Sequence, residues 1–208
     1  MDARVESEFA LFPLRLVAIP YEYVPLHVFE ERFKTMIGRC LAEDEEFGIL
    51  WLGEEELKPI GCACGIERVL EELPDGRMNI LARGTRPFRL LERLDHLPYP
   101  AGRVQFLEDR EEEPDDEAAE VARGAYSEIV EQATDSAPDR DEIALMSAYE
   151  MAARVDFGLD AKQGLLELRS EAARLRLLTR LLRAALRRLE FVDRVQVRAR
   201  SNGKVALS

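Results

Sequence analysis

Three prolines within a short N-terminal stretch restrict this chain more than any other feature. They stand at Pro13, Pro20 and Pro25 of the segment Leu11 to Phe33, LFPLRLVAIPYEYVPLHVFEERF. Proline fixes φ and cannot donate a ladder hydrogen bond, so it suits strand edges and turns rather than helix interiors. The apolar residues around them therefore read as extended, from Phe9 to Leu14 and from Val17 to Ile19. Pro25-Leu26-His27-Val28-Phe29 reads as a short strand running into a helix that Glu30-Glu31-Arg32-Phe33 opens. Acidic side chains at that start complement the helix macrodipole. Phe33, Met36, Ile37 and Leu41 then recur at helical spacing.

Strand signals continue to about residue 107. Gly48 to Leu52 is an apolar run that suits a buried strand, and Ile60 to Leu73 alternates enough for a long one. Pro74-Asp75-Gly76 is a turn, because proline presets φ and glycine accepts φ > 0. Arg77 to Ala82 returns antiparallel, Gly84-Thr85-Arg86-Pro87 is expected to break it, and Phe88 to Leu94 and Arg103 to Leu107 add two strands. Several short strands with one inserted helix predict an α+β pseudo-barrel, mostly antiparallel.

The composition then changes. Residues 108–117, EDREEEPDDE, form an acidic run broken by proline, which reads as a linker or helix start. After it the periodicity is helical: Ala118 to Ala133, a segment opened by Pro138-Asp139, Leu159 to Leu168, and a long helix from Glu171 to about Phe191 with Ser170 as N-cap. The last helix carries a wide leucine stripe, which suits a bundle better than a coiled-coil seam. The expected organisation is a barrel domain over 1–108, a helical bundle over 109–192 and a tail over 193–208, read as a short hairpin or a disordered end. Residues 108–169 carry net charge −13 and residues 170–208 net +7, so the basic end is expected to face the acidic middle.

An ordered set of residues runs through the barrel half. It comprises Leu11-Phe12-Pro13-Leu14, Pro20, Pro25-Leu26-His27-Val28-Phe29-Glu30 with Arg32 and Phe33, Phe47-Gly48, Gly61, Leu73-Pro74-Asp75-Gly76-Arg77, Gly84, Arg86, Phe88 and Tyr99. In this set the chain resembles the N-terminal, substrate-binding domain of Lon-type proteases in its free-standing form, well over about Phe9 to Phe106 and loosely beyond. It departs after Pro20, where Tyr21-Glu22-Tyr23 replaces the family's usual small residue and methionine. The resemblance implies a PUA-like barrel and non-catalytic recognition of unfolded or damaged polypeptide, as an adaptor to a protease. It also implies structural roles for Pro13, Pro25, His27, Phe29, Glu30 and Arg32. PUA-like barrels also bind RNA, which is the rival reading. The net charge of −12 and the lack of aromatics among the arginines of the last helix count against it.

Catalytic signatures are missing from the residues. No GxxxxGK[ST] phosphate loop occurs, and the family's Ser-Lys proteolytic segment has no counterpart, so no enzyme activity is expected. Asp156-Phe157-Gly158 matches a kinase motif in letters but reads as an interhelix loop. Cys62-Ala63-Cys64 has the wrong spacing for zinc and places both thiols on one strand face, toward the core. The Glu43 to Glu46 cluster reads as a solvated face, and no metal or cofactor is expected. No run approaches the roughly 18 apolar residues of a membrane span, and the start lacks a signal-peptide pattern, so a cytoplasmic location is expected. The candidates for gripping polypeptide are Tyr21 and Tyr23, two apart between prolines, with Trp51 as an extension. Tyrosine combines an apolar body with a polar tip.

Overall fold

The computed structural model describes residues 4–54, 56–134 and 136–202. Six strands come first: β1 (Val5–Leu14), β2 (Tyr23–Val28), β3 (Phe47–Trp51), β4 (Ile60–Glu72), β5 (Met78–Leu94) and β6 (Ala101–Phe106). Helix α1 (Glu31–Glu43) lies between β2 and β3. The order is β2-β5-β4-β3-β1-β6, and β6 also pairs with β5, so five strands close into a barrel with β2 laid beside the start of β5. β1 and β3 run parallel, whereas the other pairs are antiparallel. This is the mostly antiparallel pseudo-barrel expected from the strand signals.

Alternation along the strands separates two cores. Phe9, Leu11, Leu50, Ala63, Phe88, Val104 and Phe106 fill the barrel, with Phe9 edge-on to Phe88 and Phe106 at 5.4 and 5.5 Å. Phe12, one residue on from Leu11, points outward and stacks on Phe33 of α1 at 4.1 Å. The outer core runs without interruption from α1 into the helices, through Tyr126, Met151, Leu165 and Leu178. Cys62 and Cys64 are both buried, and the Cys64 Sγ–H donates to the Cys62 carbonyl.

Two expectations about the strands need correction. Val17 to Ile19 is buried but is not a strand; it enters a turn whose amides bond β5 and a side chain. Nor is β5 broken at Gly84 to Pro87. That interval falls after β2 has left β5 and before β6 joins at Phe88, so the proline interrupts no pairing to either strand. A register shift opposite Ala63/Cys64 of β4 leaves Thr85 of β5 as the extra residue that absorbs the irregularity.

The helices are α2 (Asp116–Thr134), α3 (Arg140–Ala144), α4 (Ala148–Ala152), α5 (Leu159–Glu167) and α6 (Glu171–Asn202). The helix expected after Pro138 is thus two short ones. Ser147 and Glu150 form a capping box that starts α4 afresh. Asp156-Phe157-Gly158 is the α4–α5 loop, with Gly158 at φ +80. Ser170 caps α6 by accepting from the Ala173 N–H. The helix passes the boundary expected near residue 192, because no glycine or proline interrupts it before Gly203. Residues 192–202 are therefore helical rather than a hairpin; residues 203–208 lie outside the described ones. Among the described residues no helix is long and apolar enough to cross a membrane.

Arg174 of α6 is only 2% exposed. It pairs with Asp109 of the β6–α2 linker and with Glu171, donates to the Leu168 carbonyl, and lies over the Tyr149 ring. Arg176 pairs with Asp115, so these two arginines do face the acidic run. On the other flank Lys162 Nζ meets Glu22 Oε1 at 2.5 Å and Gln163 Nε2 donates to the Ile60 carbonyl at 3.1 Å, tying α5 to the barrel.

Burial in the shared core also sets a pH response. It pushes the Cys40 thiol from its ordinary value near 9 up to about 11. Unfolding releases that thiol to ionise, so the stability it contributes is whole below pH 9 and is lost as pH rises toward 11. Denaturant titrations should show a decline across that window, of which Cys40→Ala removes about 2 kcal/mol. An unaltered slope in the variant would contradict this assignment.

Candidate functional site

The turn before β2 is the most unusual piece of backbone among the described residues. The Glu22 N–H donates to the Ile19 carbonyl, closing a four-residue turn with Pro20 second and Tyr21 third. Tyr21 sits at φ +69, in the left-handed region. Proline second with φ > 0 third is the arrangement of a type II turn, whose third position favours glycine. A tyrosine there is strained.

Gly84 of β5 makes the turn possible. The Tyr21 N–H donates to the Gly84 carbonyl, and the Gly84 N–H donates to that of Glu22. A Cβ on Gly84 would stand 2.1 Å from the Ile19 carbonyl oxygen, so no larger residue fits without moving backbone. The Glu22 carboxylate accepts from the Ile19 N–H and holds Lys162, which docks α5 behind the turn.

This local structure holds both tyrosines outward, Tyr21 at 44% and Tyr23 at 52% exposure. Tyr23 is paired with Arg83 in register, and the Arg83 guanidinium lies 5.7 Å from each ring centroid. The two rings therefore flank one cation. Their shared side was legible from the spacing; Arg83 was not, because only strand register brings it there. Trp51 is not alongside. It ends β3, opposite Leu14 of β1, with β5 and β4 between it and β2, and it packs partly into the core.

Below Tyr23 the same sheet face continues through Pro25 to His27 and Phe29. Val24, Leu26 and Val28 alternate inward. The His27 Nδ1 lies 2.7 Å from Asn79 Oδ1, and the ring stacks on Phe29, which is 59% exposed. Glu22 shares a bond with Gly84, so by parity the backbone N of Tyr23, Pro25 and His27 points away from β5. Pro25 thus puts its missing donor on the free edge, which discourages chance strand addition there. At the strand-to-helix corner Arg32 Nε donates to Glu30 Oε2 and the guanidinium covers Phe33, while the Glu30 carbonyl accepts from the Phe33 and Lys34 N–H groups. Pro13 sits half-buried in β1 opposite Leu50.

Tyr21 also borders a groove of about 780 Å³ between the barrel, the linker and the helices. The groove has a buried apolar floor that includes Leu107 and Met146. Leu145, at the α3–α4 junction and 86% exposed, also lines it. The Ser170 hydroxyl and Ala172 N–H hold the Glu112 carboxyl, on the linker side, below the usual carboxylate range. Nothing in the sequence around Leu145 distinguishes it from a core leucine, since its exposure follows from the helix break at Ser147. Among the described residues no cluster of His, Cys, Asp and Glu has the geometry to hold a metal ion.

A family model described as the ATP-dependent protease La (LON) substrate-binding domain matches residues 8–184. Lon protease 1 of Syntrophobacter fumaroxidans is 28% identical over 211 residues, covering 91% of this chain and 25% of its own length. Lon protease of Trichlorobacter lovleyi is 29% identical over 115 residues, covering 51% of this chain and 14% of that protein. The chain thus spans a quarter or less of the length of these relatives. Among solved structures, the Lon N-terminal domain protein from Xanthomonas campestris superimposes with a TM-score of 0.64 at 22% identity, covering 83% of this chain and 97% of that one. The N-terminal domain of Mycobacterium avium complex Lon protease gives 0.58 at 19%, covering 84% and 97%. At such identities these two likenesses speak for the fold.

Gly84→Ala should test the turn directly. The added methyl collides with backbone, so we expect a loss of about 2–3 kcal/mol in denaturant unfolding. A loss below about 0.5 kcal/mol would mean that the turn does not depend on this close approach.

Proposed function

Because the chain belongs to the family of ATP-dependent protease La (LON) substrate-binding domains, we propose that it binds unfolded or damaged polypeptide without cleaving it and presents it to a protease. The binding surface in this reading centres on Tyr21, Tyr23 and Arg83. The observation that carries it is the placement of Tyr21: a large ring occupies a turn position that favours glycine, and it is held in solvent rather than buried. Strained residues persist where the surrounding structure imposes them, and they cluster at ligand clamps. Two rings with few rotamers to freeze offer apolar contact at modest entropy cost, as binding hot spots do. The face running on to Phe29 supplies further area without demanding one sequence.

Replacement by glycine separates binding from folding. Tyr21→Gly relieves the left-handed strain, so stability should hold or rise by up to about 1 kcal/mol. Combined with Tyr23→Ala it should weaken binding of an unfolded casein-like polypeptide by about 1–3 kcal/mol. Calorimetric titration alongside thermal melts checks both. Unchanged affinity with a sharply lowered melting temperature would make the rings core residues, and retention of RNA in place of polypeptide would favour the other reading.

The purified chain should hydrolyse neither ATP nor casein above background. No phosphate loop or Ser-Lys pair is legible in it. Turnover abolished by one polar substitution in this chain would refute that expectation.

A further inference from the structure

The groove beside Tyr21 suggests which polypeptides are preferred, and this step rests on the polypeptide-binding reading above. Its floor is apolar and its rim holds Tyr21 and Leu145 in solvent, on different elements. The charged lining is predominantly acidic. Six carboxylates stand there against the guanidiniums of Arg110, Arg123 and Arg174. Arg174 is engaged by Asp109 and Glu171, and Arg123 donates to the Met146 carbonyl. Asp115 is held by Arg176, and Glu112 by the start of α6. Glu108 and Glu113 remain exposed with no cation within 4 Å, and Arg110 with no carboxylate within 4 Å, among the described residues, so the unengaged lining is left with one net negative charge.

We infer that the groove takes an extended polypeptide segment carrying lysine or arginine next to apolar side chains. The apolar residues cover Leu145, the Tyr21 ring and the floor, while the cations meet Glu108 and Glu113. Such rim pairs are screened by solvent and add little affinity each, yet they select partners and steer encounter. An acidic segment would bring like charge to the same rim. The groove therefore discriminates by charge, and the tyrosine face supplies the tolerant apolar grip.

Fluorescence anisotropy with the full chain tests this, using three labelled peptides that share their leucine and phenylalanine positions. The intervening residues are lysine in one, glutamine in the second and glutamate in the third. At about 50 mM salt the lysine peptide should bind about tenfold more tightly than the glutamine peptide, with the glutamate peptide weakest. The preference should shrink to within about threefold in the double variant Glu108→Gln/Glu113→Gln. Leu145→Ser should weaken all three peptides by about threefold or more. Equal binding of the three peptides, a charge preference that survives the double variant, or indifference to Leu145→Ser would each overturn the groove assignment. In those cases the tyrosine surface stands as the site. Failure of every peptide to bind would overturn this inference and the polypeptide-binding reading together.

Discussion

One strand with three partners governs the architecture. β5 pairs with β2 over its first third, with β4 over most of its length and with β6 at its end. Barrel closure requires the strand to pass from one set of neighbours to the other without ending. The interval from Gly84 to Pro87 does this, with a proline where neither β2 nor β6 needs its donor. Glycine at 84 leaves room for the Ile19–Glu22 turn to lie against the strand. The same choice that closes the barrel thus decides how Tyr21 and Tyr23 are shown to solvent. Fold and candidate site are one constraint at this point.

The helical half is built onto that barrel by a shared core and by buried polar ties. Leu165, Leu166 and Leu178 belong to the same apolar cluster as Phe12 and Ile37, so separating the halves would expose the interior of both. Hydrophobic burial of this kind contributes far more than any of the ion pairs. The polar contacts fix the angle. Lys162 and Glu22 are largely buried together, and Arg174 is satisfied by two carboxylates, a carbonyl and an aromatic face. Removing one partner of such a pair leaves a charge out of water, so each tie is sensitive to substitution. Because the Glu22 tie sits beside Tyr21, the helices also brace that turn.

Most exposed ion pairs, such as Arg154–Glu142 or Arg103–Glu92, carry little of this weight. The acidic linker differs. Its Asp109 and Asp115 serve α6, and Glu112 caps it, whereas Glu108 and Glu113 face the groove. A stretch that reads as a featureless charge run is thus divided residue by residue between structure and surface.

The sequence alone determined what depends on nearest neighbours. Pro13 and Pro25 stand in extended chain and Pro20 in a turn, the Pro74-Asp75-Gly76 turn joined β4 to β5, and the leucine stripe after Ser170 declared α6, because backbone geometry and helical period are local properties. The tyrosine pair was legible for the same reason. Other features depend on partners distant in sequence, and only the tertiary structure decided them. β5 runs through Gly84 and Pro87 because its neighbours exchange there. Arg174 is buried because Asp109, Glu171 and Tyr149 converge on it, although its helical position reads as polar. Trp51 stands apart from the tyrosines because two strands intervene, and Arg83 stands between them because register puts it opposite Tyr23. Leu145 faces solvent because the chain breaks and restarts at Ser147. Local rules assign each residue a conformation; its neighbours across the fold decide whether it is core, tie or surface.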